Sequence, residues 1–386
     1  MLVRQTVVSH WKTAQLQALT EIEPNLVLVF AAPRFFTDPD FCAGLTAAFP
    51  AARRLAISTA GEINSQGVSE ESAVVNAIRF ERSAFKLAAS DITCMEDSAD
   101  VGRRLAAQLQ APDLRAVVLF SQGVAVNGSE LIAGVVSVLG KNIPLTGGLA
   151  GDYGAFAQTW TLLDEVVSDK MMLALGLYGD SVEFAHGSFG GWQSFGPARR
   201  ATKVAGNVLY ELDGEPALEI YRRYLGEYAK DLPASGLLFP FAILADDRQE
   251  TGLIRTLLGI DESNGSLTLA GDIPADGYLK LMHASTEALI DGAEAAAAAA
   301  QRMFAADTST QTLTQQSLAL LVSCIGRKLV MGDRVDEEVE AVGAVFGQRC
   351  VLTGFYSNGE ISPFVESTEC KLHNQTMTIT LLGEKA

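Results

Sequence analysis

The hydrophobic positions of this chain fall in continuous runs more often than in alternating ones. Leu26-Val-Leu-Val-Phe30, Ala116-Val-Val-Leu-Phe120 and Leu318-Ala-Leu-Leu-Val-Ser323 carry no charge. Each leads through a helical stretch to a second apolar run that breaks into small residues and ends on Gly with Asp or Glu. These second runs occupy residues 55–63, 143–152 and 351–361. Unbroken apolar strands that alternate with helices require burial on both faces. The pattern therefore predicts an α/β (α+β) fold: layered sheets covered by helices, in two intimately packed halves with an internally repeated strand–helix–strand–turn unit. Three similar Gly-acid turns suggest one shared surface. Its candidate ligand-binding residues are Gly61, Glu62, Gly147, Gly148, Gly151, Asp152, Asn358, Gly359 and Glu360.

Between the repeats the pattern predicts further elements. Residues 1–25 read as a short helix and cap, and 95–110 as a connecting helix. A glycine and aromatic loop spans 187–197. Asn264-Gly265 marks a hairpin between strands 253–258 and 266–270. Residues 279–283 read as a strand. Residues 286–305 form a long helix with six consecutive alanines, the best helix former. A closing strand covers 372–382.

Composition narrows the function. The net charge is -17, which argues against a nucleic-acid or anionic-membrane surface. No apolar run reaches membrane-spanning length, and residues 1–10 lack the apolar core of a signal peptide. Five scattered cysteines form no disulfide framework, so a reducing cytoplasm is the expected location. The stretch from Gly134 to Asn142 fails the phosphate-loop spacing, and no nucleophile elbow occurs. Catalysis is not expected. Cys370 and His373 lie three apart on a strand and point to opposite faces, so they cannot grip one metal together. Of the four histidines, His186, His283 and His373 are expected to face inward, whereas His10 sits beside Trp11.

Several segments resemble FIST domains. Ser58-Thr-Ala-Gly-Glu62 is similar to the N-terminal half of that family, as are Gly190-Gly-Trp-Gln-Ser-Phe-Gly-Pro197 and the run from Gly206 to Leu218. Ser357-Asn-Gly-Glu-Ile361 and Leu372-His-Asn-Gln-Thr376 are similar to its C-terminal half. The resemblance implies a FIST N-type domain at 26–215, a FIST C-type domain at 216–365 and a closing strand at 366–386. It also implies a sensory module of a signal-transduction system. The Gly-Gly-Trp segment and Leu232-Pro-Ala-Ser-Gly-Leu-Leu-Phe-Pro240 resemble nitric-oxide-sensing NosP-type proteins. This implies b-type haem, nitric oxide as the signal, and a histidine kinase or other signalling protein as partner; a homodimer is a further candidate assembly. Ala56 stands where many relatives carry Cys. If haem binds, His373 is the first choice as iron ligand, with Asn374 and Gln375 beside it to orient the ring or a ligand. His186 is second and His283 third, and Phe189 and Trp192 would flank the macrocycle. The alternative is a sensor of another small ligand, such as an amino acid, without haem.

Overall fold

The computed structural model describes residues 1–11, 13–307, 316–363 and 369–385. Its core is built from one unit used three times. The first contains β1 (Leu2–Val8), α1 (Gln17–Thr20), β2 (Leu26–Ala31), α2 (Pro33–Phe36), α3 (Pro39–Ala48) and β3 (Arg53–Ser58). A hairpin of β4 (Glu62–Asn64) and β5 (Gly67–Ser69) then leads to β6 (Ala73–Arg79). The second has β7 (Ala84–Asp91), α4 (Ser98–Leu109), β8 (Leu114–Ser121), α5 (Gly128–Leu139) and β9 (Leu145–Leu149). It closes with the hairpin β10 (Thr161–Leu163) and β11 (Val166–Ser168), then β12 (Met171–Tyr178). The third opens with β13 (Val182–Phe189) and is interrupted by an insertion. It resumes with α7 (Thr286–Asp307), β22 (Ser317–Cys324), α8 (Ile325–Met331), α9 (Asp336–Phe346) and β23 (Cys350–Ser357). The hairpin β24 (Gly359–Pro363) and β25 (Cys370–His373) and the strand β26 (Met377–Glu384) complete it.

Each unit lends its hairpin to another. The three sheets run β1-β6-β2-β3-β10-β11, β7-β12-β8-β9-β24-β25 and β13-β26-β22-β23-β4-β5. Every sheet has the same order and is completed by a two-stranded piece from elsewhere in the chain, so the N-terminal and C-terminal halves interlock. The inner faces share one core. Leu28 and Phe30 meet Val118 and Phe120 from the second sheet and Leu320, Val322 and Phe355 from the third. Phe30 stacks on Phe355 with centroids 5.0 Å apart and meets Phe120 at 6.3 Å. Alternate residues face outward beneath helices: Val27 and Val29 under α2 and α3, Val117 and Leu119 under α4 and α5, and Ala319 and Leu321 under α7 and α9. Burial on both faces is the reason these strands read as unbroken apolar runs. The alanine run in α7 also has a packing cause. A Cβ on Gly187 of β13 would collide with the Ala296 carbonyl, so helix and strand approach at backbone distance.

The insertion is a fourth, eight-stranded sheet. It comprises β14 (Gln193–Ala205), β15 (Val208–Leu212), β16 (Glu215–Pro216), α6 (Ala217–Leu225), β17 (Phe241–Leu244), β18 (Glu250–Arg255), β19 (Leu257–Asp261), β20 (Ser266–Leu269) and β21 (Tyr278–His283). Among the described residues, no helix is long and apolar enough to cross a membrane.

Four expectations are corrected. Residues 2–8 are a strand rather than part of a helix, because β1 pairs with β6 along its whole length. The glycine and aromatic segment 187–197 is mostly strand, the end of β13 and the start of β14. The closing strand is two strands in two different sheets; the chain breaks at Gln375, whose φ is 63°, so His373 and Met377 share no strand face. Residues 366–368 lie outside the described residues. His283 is exposed, because β21 carries its last residue past the core; there it meets Phe195 edge-on at 5.5 Å.

Candidate functional site

The three Gly-acid turns do meet, and they meet in the interior. Gly151 N donates to Ser58 O (2.9 Å), Ala60 N to Tyr356 O (2.8 Å) and Asn358 N to Leu149 O (3.4 Å). The ring of backbone bonds passes once through each repeat and occupies these backbone groups. Gly61, Gly147, Gly148, Gly151 and Gly359 are buried there. The turns are therefore a structural hub rather than an open surface.

The acids at these turns are not equivalent. Glu62 pairs with Phe355 and Glu360 with Gly148; the same register in the first sheet sets Thr161 opposite Ile57. Glu62 accepts from Thr59 Oγ1 (2.5 Å), Ser72 N (3.1 Å) and Ser72 Oγ (2.7 Å). Glu360 repeats this with Ser357 Oγ (2.8 Å), Thr376 N (3.1 Å) and Thr376 Oγ1 (2.9 Å). In the second unit the Thr161 hydroxyl takes the place and donates to Met171 O at 2.8 Å. Asp152, expected to match the two glutamates, instead caps the inserted turn: its carboxylate accepts from Phe156 N, Ala157 N and Gln158 N. Sequence spacing cannot separate these roles, because the insertion between Gly151 and Thr161 slides the acid out of register.

Burial pushes Glu62 and Glu360 up to about 7, against hydrogen bonds that work the other way. Burial also pulls His186 and His373 down to about 4. As pH rises through the interval from 4.5 to 7, each carboxyl stays protonated in the fold while its unfolded counterpart ionises. Folding stability falls by about 3 kcal/mol per group over that range. As pH drops from 6.5 to 4, each imidazole stays neutral in the fold while its unfolded counterpart is protonated, which costs a similar amount. The pairs oppose each other, so these four groups leave the melting temperature nearly level between pH 5 and 6.5. Glu360→Gln is expected to remove one rising arm, so that its melting temperature drops below that of the wild type as pH falls from 6.5 to 4.5. Parallel melting curves for the two proteins across that range would refute the assignment.

A cavity of about 570 Å³ opens between β13, α7, the inserted strands β17, β18 and β21, and β25. Phe189, Trp192 and His373 all line it, together with Ile254 and Met282, and Arg302 of α7 stands at its rim. Trp192 is fixed by its indole N–H, which donates to Gln375 O at 2.8 Å. The His373 imidazole is buried, with Nε2 2.9 Å from Ser362 O. That bond sets the ring proton on Nε2. Gln375 does not serve the ring, since its amide donates to Leu237 O and packs on Gly326 of α8. His186 is buried on β13 with Nδ1 unpartnered among the described residues, and it lies outside this cavity's lining. His283 lies outside it as well.

Asn374 turns the other way. With Asn358 and Gly123 it lines a second cavity of about 270 Å³. The Oδ1 atoms of both asparagines are buried without a hydrogen-bond partner among the described residues. One feature beside the larger cavity escaped sequence reasoning. Arg327 and Glu338 form a fully buried ion pair at 2.7 Å, and Arg327 also bonds Gly190 O in the segment between Phe189 and Trp192. One charge on each of two neighbouring helices, α8 and α9, gives no signal of burial in the sequence.

Comparison with known proteins adds the following. The model of the FIST N domain matches residues 25–215, and that of the FIST C domain matches residues 217–363. An uncharacterised protein of Methanocaldococcus jannaschii is 36% identical over 99 residues, a stretch that is 25% of this chain and 19% of that protein. Cyanuric acid hydrolase from A. caulinodans aligns over 100% of this chain and 99% of its own, at 8% identity and a TM-score of 0.39. PurLQS from Thermotoga maritima aligns over 85% of this chain and 74% of its own, at 11% identity and a TM-score of 0.23. Scores this low bear on neither fold nor activity.

Proposed function

The chain belongs to the FIST family of signal-transduction sensory domains, and on that premise we propose that it is a haem-binding sensor of nitric oxide that regulates a histidine kinase without turnover of its own. One observation carries the reading: Phe189 and Trp192, remote in sequence from His373, line a single cavity with it, of about 570 Å³. The residues suit the group. The His373 imidazole is kept neutral by burial and is oriented by the Ser362 carbonyl, as a metal-ligating histidine would need. Trp192, Ile254 and Met282 supply apolar walls, and Arg302 at the rim would meet a propionate. Haem, once bound, supplies an iron with an open position for a diatomic gas. The protein's own part is to hold the imidazole neutral, exclude water with the buried Trp192, Ile254 and Met282, and pass a change at the cavity to its surroundings. The acidic surface and the lack of kinase or DNA-binding motifs in the sequence favour output by protein contact in the cytoplasm.

The test is haem titration of the purified protein and of each histidine variant. A Soret band in the wild type is expected, with His373→Ala weakening haem at least tenfold and altering the ferrous nitrosyl spectrum, while His186→Ala and His283→Ala leave both unchanged. A wild type that forms no Soret band overturns the reading. The smaller cavity favours a second reading, since the two unpartnered asparagine oxygens call for a ligand bearing N–H donors, such as an amino acid. In that case amino acids, and not haem, would raise the melting temperature.

A further inference from the structure

A third cavity, of about 560 Å³, lies between α5, β18 and β25 and shares only Leu253 with the cavity lined by His373. Ile132 and Val136 of α5, Leu253 and Leu372 give it apolar walls. Arg255, the last residue of β18, also lines it, although only 5% of its surface is exposed. The guanidinium donates through Nε to Asp272 O (3.1 Å) and through Nη1 to Ile254 O (3.1 Å) and Leu372 O (3.2 Å). Nη2 carries none of these bonds. Gly271, at φ 137°, makes room, since a Cβ there would lie 2.8 Å from Nε.

This cation is unusual for its depth. Its hydrogen-bond partners are carbonyls, and among the described residues it forms no ion pair. Burial without a counter-ion disfavours the charged form, and the guanidinium is pulled down to about 10, with Asp272 opposing. Arg54 is a useful contrast. It too is buried and bonded to carbonyls, at Phe49 and Ala52, but it borders neither this cavity nor the one lined by His373. Carbonyl bonding alone therefore explains a structural arginine and does not explain one set in the wall of an apolar cavity. At the mouth, Lys141 and Lys371 share Glu369, at 3.9 and 2.8 Å. Three cations thus face Glu369 and Asp272, a local excess of positive charge in a chain of net charge -17.

We propose that this cavity binds a small organic anion, a carboxylate with an apolar body, whose carboxylate rests on Arg255 and whose body lies against Ile132, Val136 and Leu253. The Nη2 donors outside these three bonds can give a carboxylate a charge-assisted hydrogen bond, and a mainly apolar cavity with a few placed polar groups is the usual form of a small-molecule site. The site goes beyond the haem reading and does not depend on it.

Isothermal titration with octanoate and with 1-octanol tests the proposal. Octanoate is expected to bind the wild type at least tenfold more tightly than octanol. Arg255→Met is expected to lose at least tenfold in octanoate affinity and to erase the preference over octanol. Val136→Trp fills the cavity from α5 with Arg255 in place, and is expected to abolish binding of both probes while circular dichroism stays unchanged. If Arg255→Met does not fold, the octanoate–octanol comparison and Val136→Trp still decide. Octanoate that fails to bind the wild type, that octanol matches, or that binds Val136→Trp as well as the wild type overturns the proposal.

Discussion

Glu338→Ala is expected to destabilise the protein by about 3–5 kcal/mol, because it strands a buried guanidinium. Arg327 and Glu338 are both fully buried. The carboxylate accepts from Arg327 Nη2 (2.7 Å) and Nε (3.2 Å), from Ser323 Oγ (3.0 Å) and from Tyr356 Oη (2.5 Å). Burial and the neighbouring Glu338 push the Tyr356 hydroxyl far up, which keeps it a neutral donor. Arg327 in turn reaches Leu289 O of α7 (2.9 Å) and Gly190 O. The network therefore ties β22, β23, α8 and α9 to α7 and to the turn at Gly190, two of the segments that line the cavity of His373. Loss of Glu338 should loosen the turn between Phe189 and Trp192 as well as the core. Urea denaturation reads the second effect, and, under the proposed haem reading, haem affinity reads the first. The double variant Arg327→Met with Glu338→Leu removes both charges and is expected to recover most of the stability, but not the anchoring of Gly190. If Glu338→Ala costs less than 1 kcal/mol, the pair is not the keystone described here.

How much of this was legible depends on the range over which each feature is encoded. The central strands were readable because local burial on both faces leaves an unmistakable run, as in residues 26–30 and 318–323. The exchange of hairpins was not. β4 and β10 are three residues long, and nothing in Glu62-Ile-Asn64 says that its partner is Phe355 in a distant segment. The repeat itself was visible, but the burial of its turns was not. Recurring small residues mark a place where three segments of the chain crowd together, whereas the sequence suggested a shared surface. The cavity of His373 was half legible. Its aromatic residues and histidine stood out as rare types, whereas the break at Gln375 that turns His373 toward Trp192 and away from Met377 depends on one positive φ. Charges in helices default to solvent in any sequence reading, so Arg327 and Glu338, and likewise Arg255 at the end of a strand, became visible only once tertiary packing was known.

The repeat also sets up an internal control for the last prediction. Ala56, Gly147 and Gly354 occupy one position in the three units, paired with Val29, Leu119 and Leu321 of the adjacent parallel strand. Gly147 has φ 132° and Gly354 φ 155°. A Cβ built on either would overlap a neighbouring carbonyl oxygen, that of Leu119 or Leu321. Neither oxygen can retreat, because each belongs to the central strand of a six-stranded sheet packed on both sides. Ala56 already carries a Cβ at the equivalent point, so the first unit tolerates what the others forbid. Gly354→Ala and Gly147→Ala are each expected to cost at least about 4 kcal/mol, the range reserved for unrelieved backbone collision and strain. Ala56→Gly at the equivalent site should cost only about 1 kcal/mol, from backbone entropy and one lost methyl. Chemical denaturation of the three variants side by side reads the difference. Equal losses at all three positions would mean that the units are not superposable at this residue, and that the threefold register inferred from strand pairing is wrong.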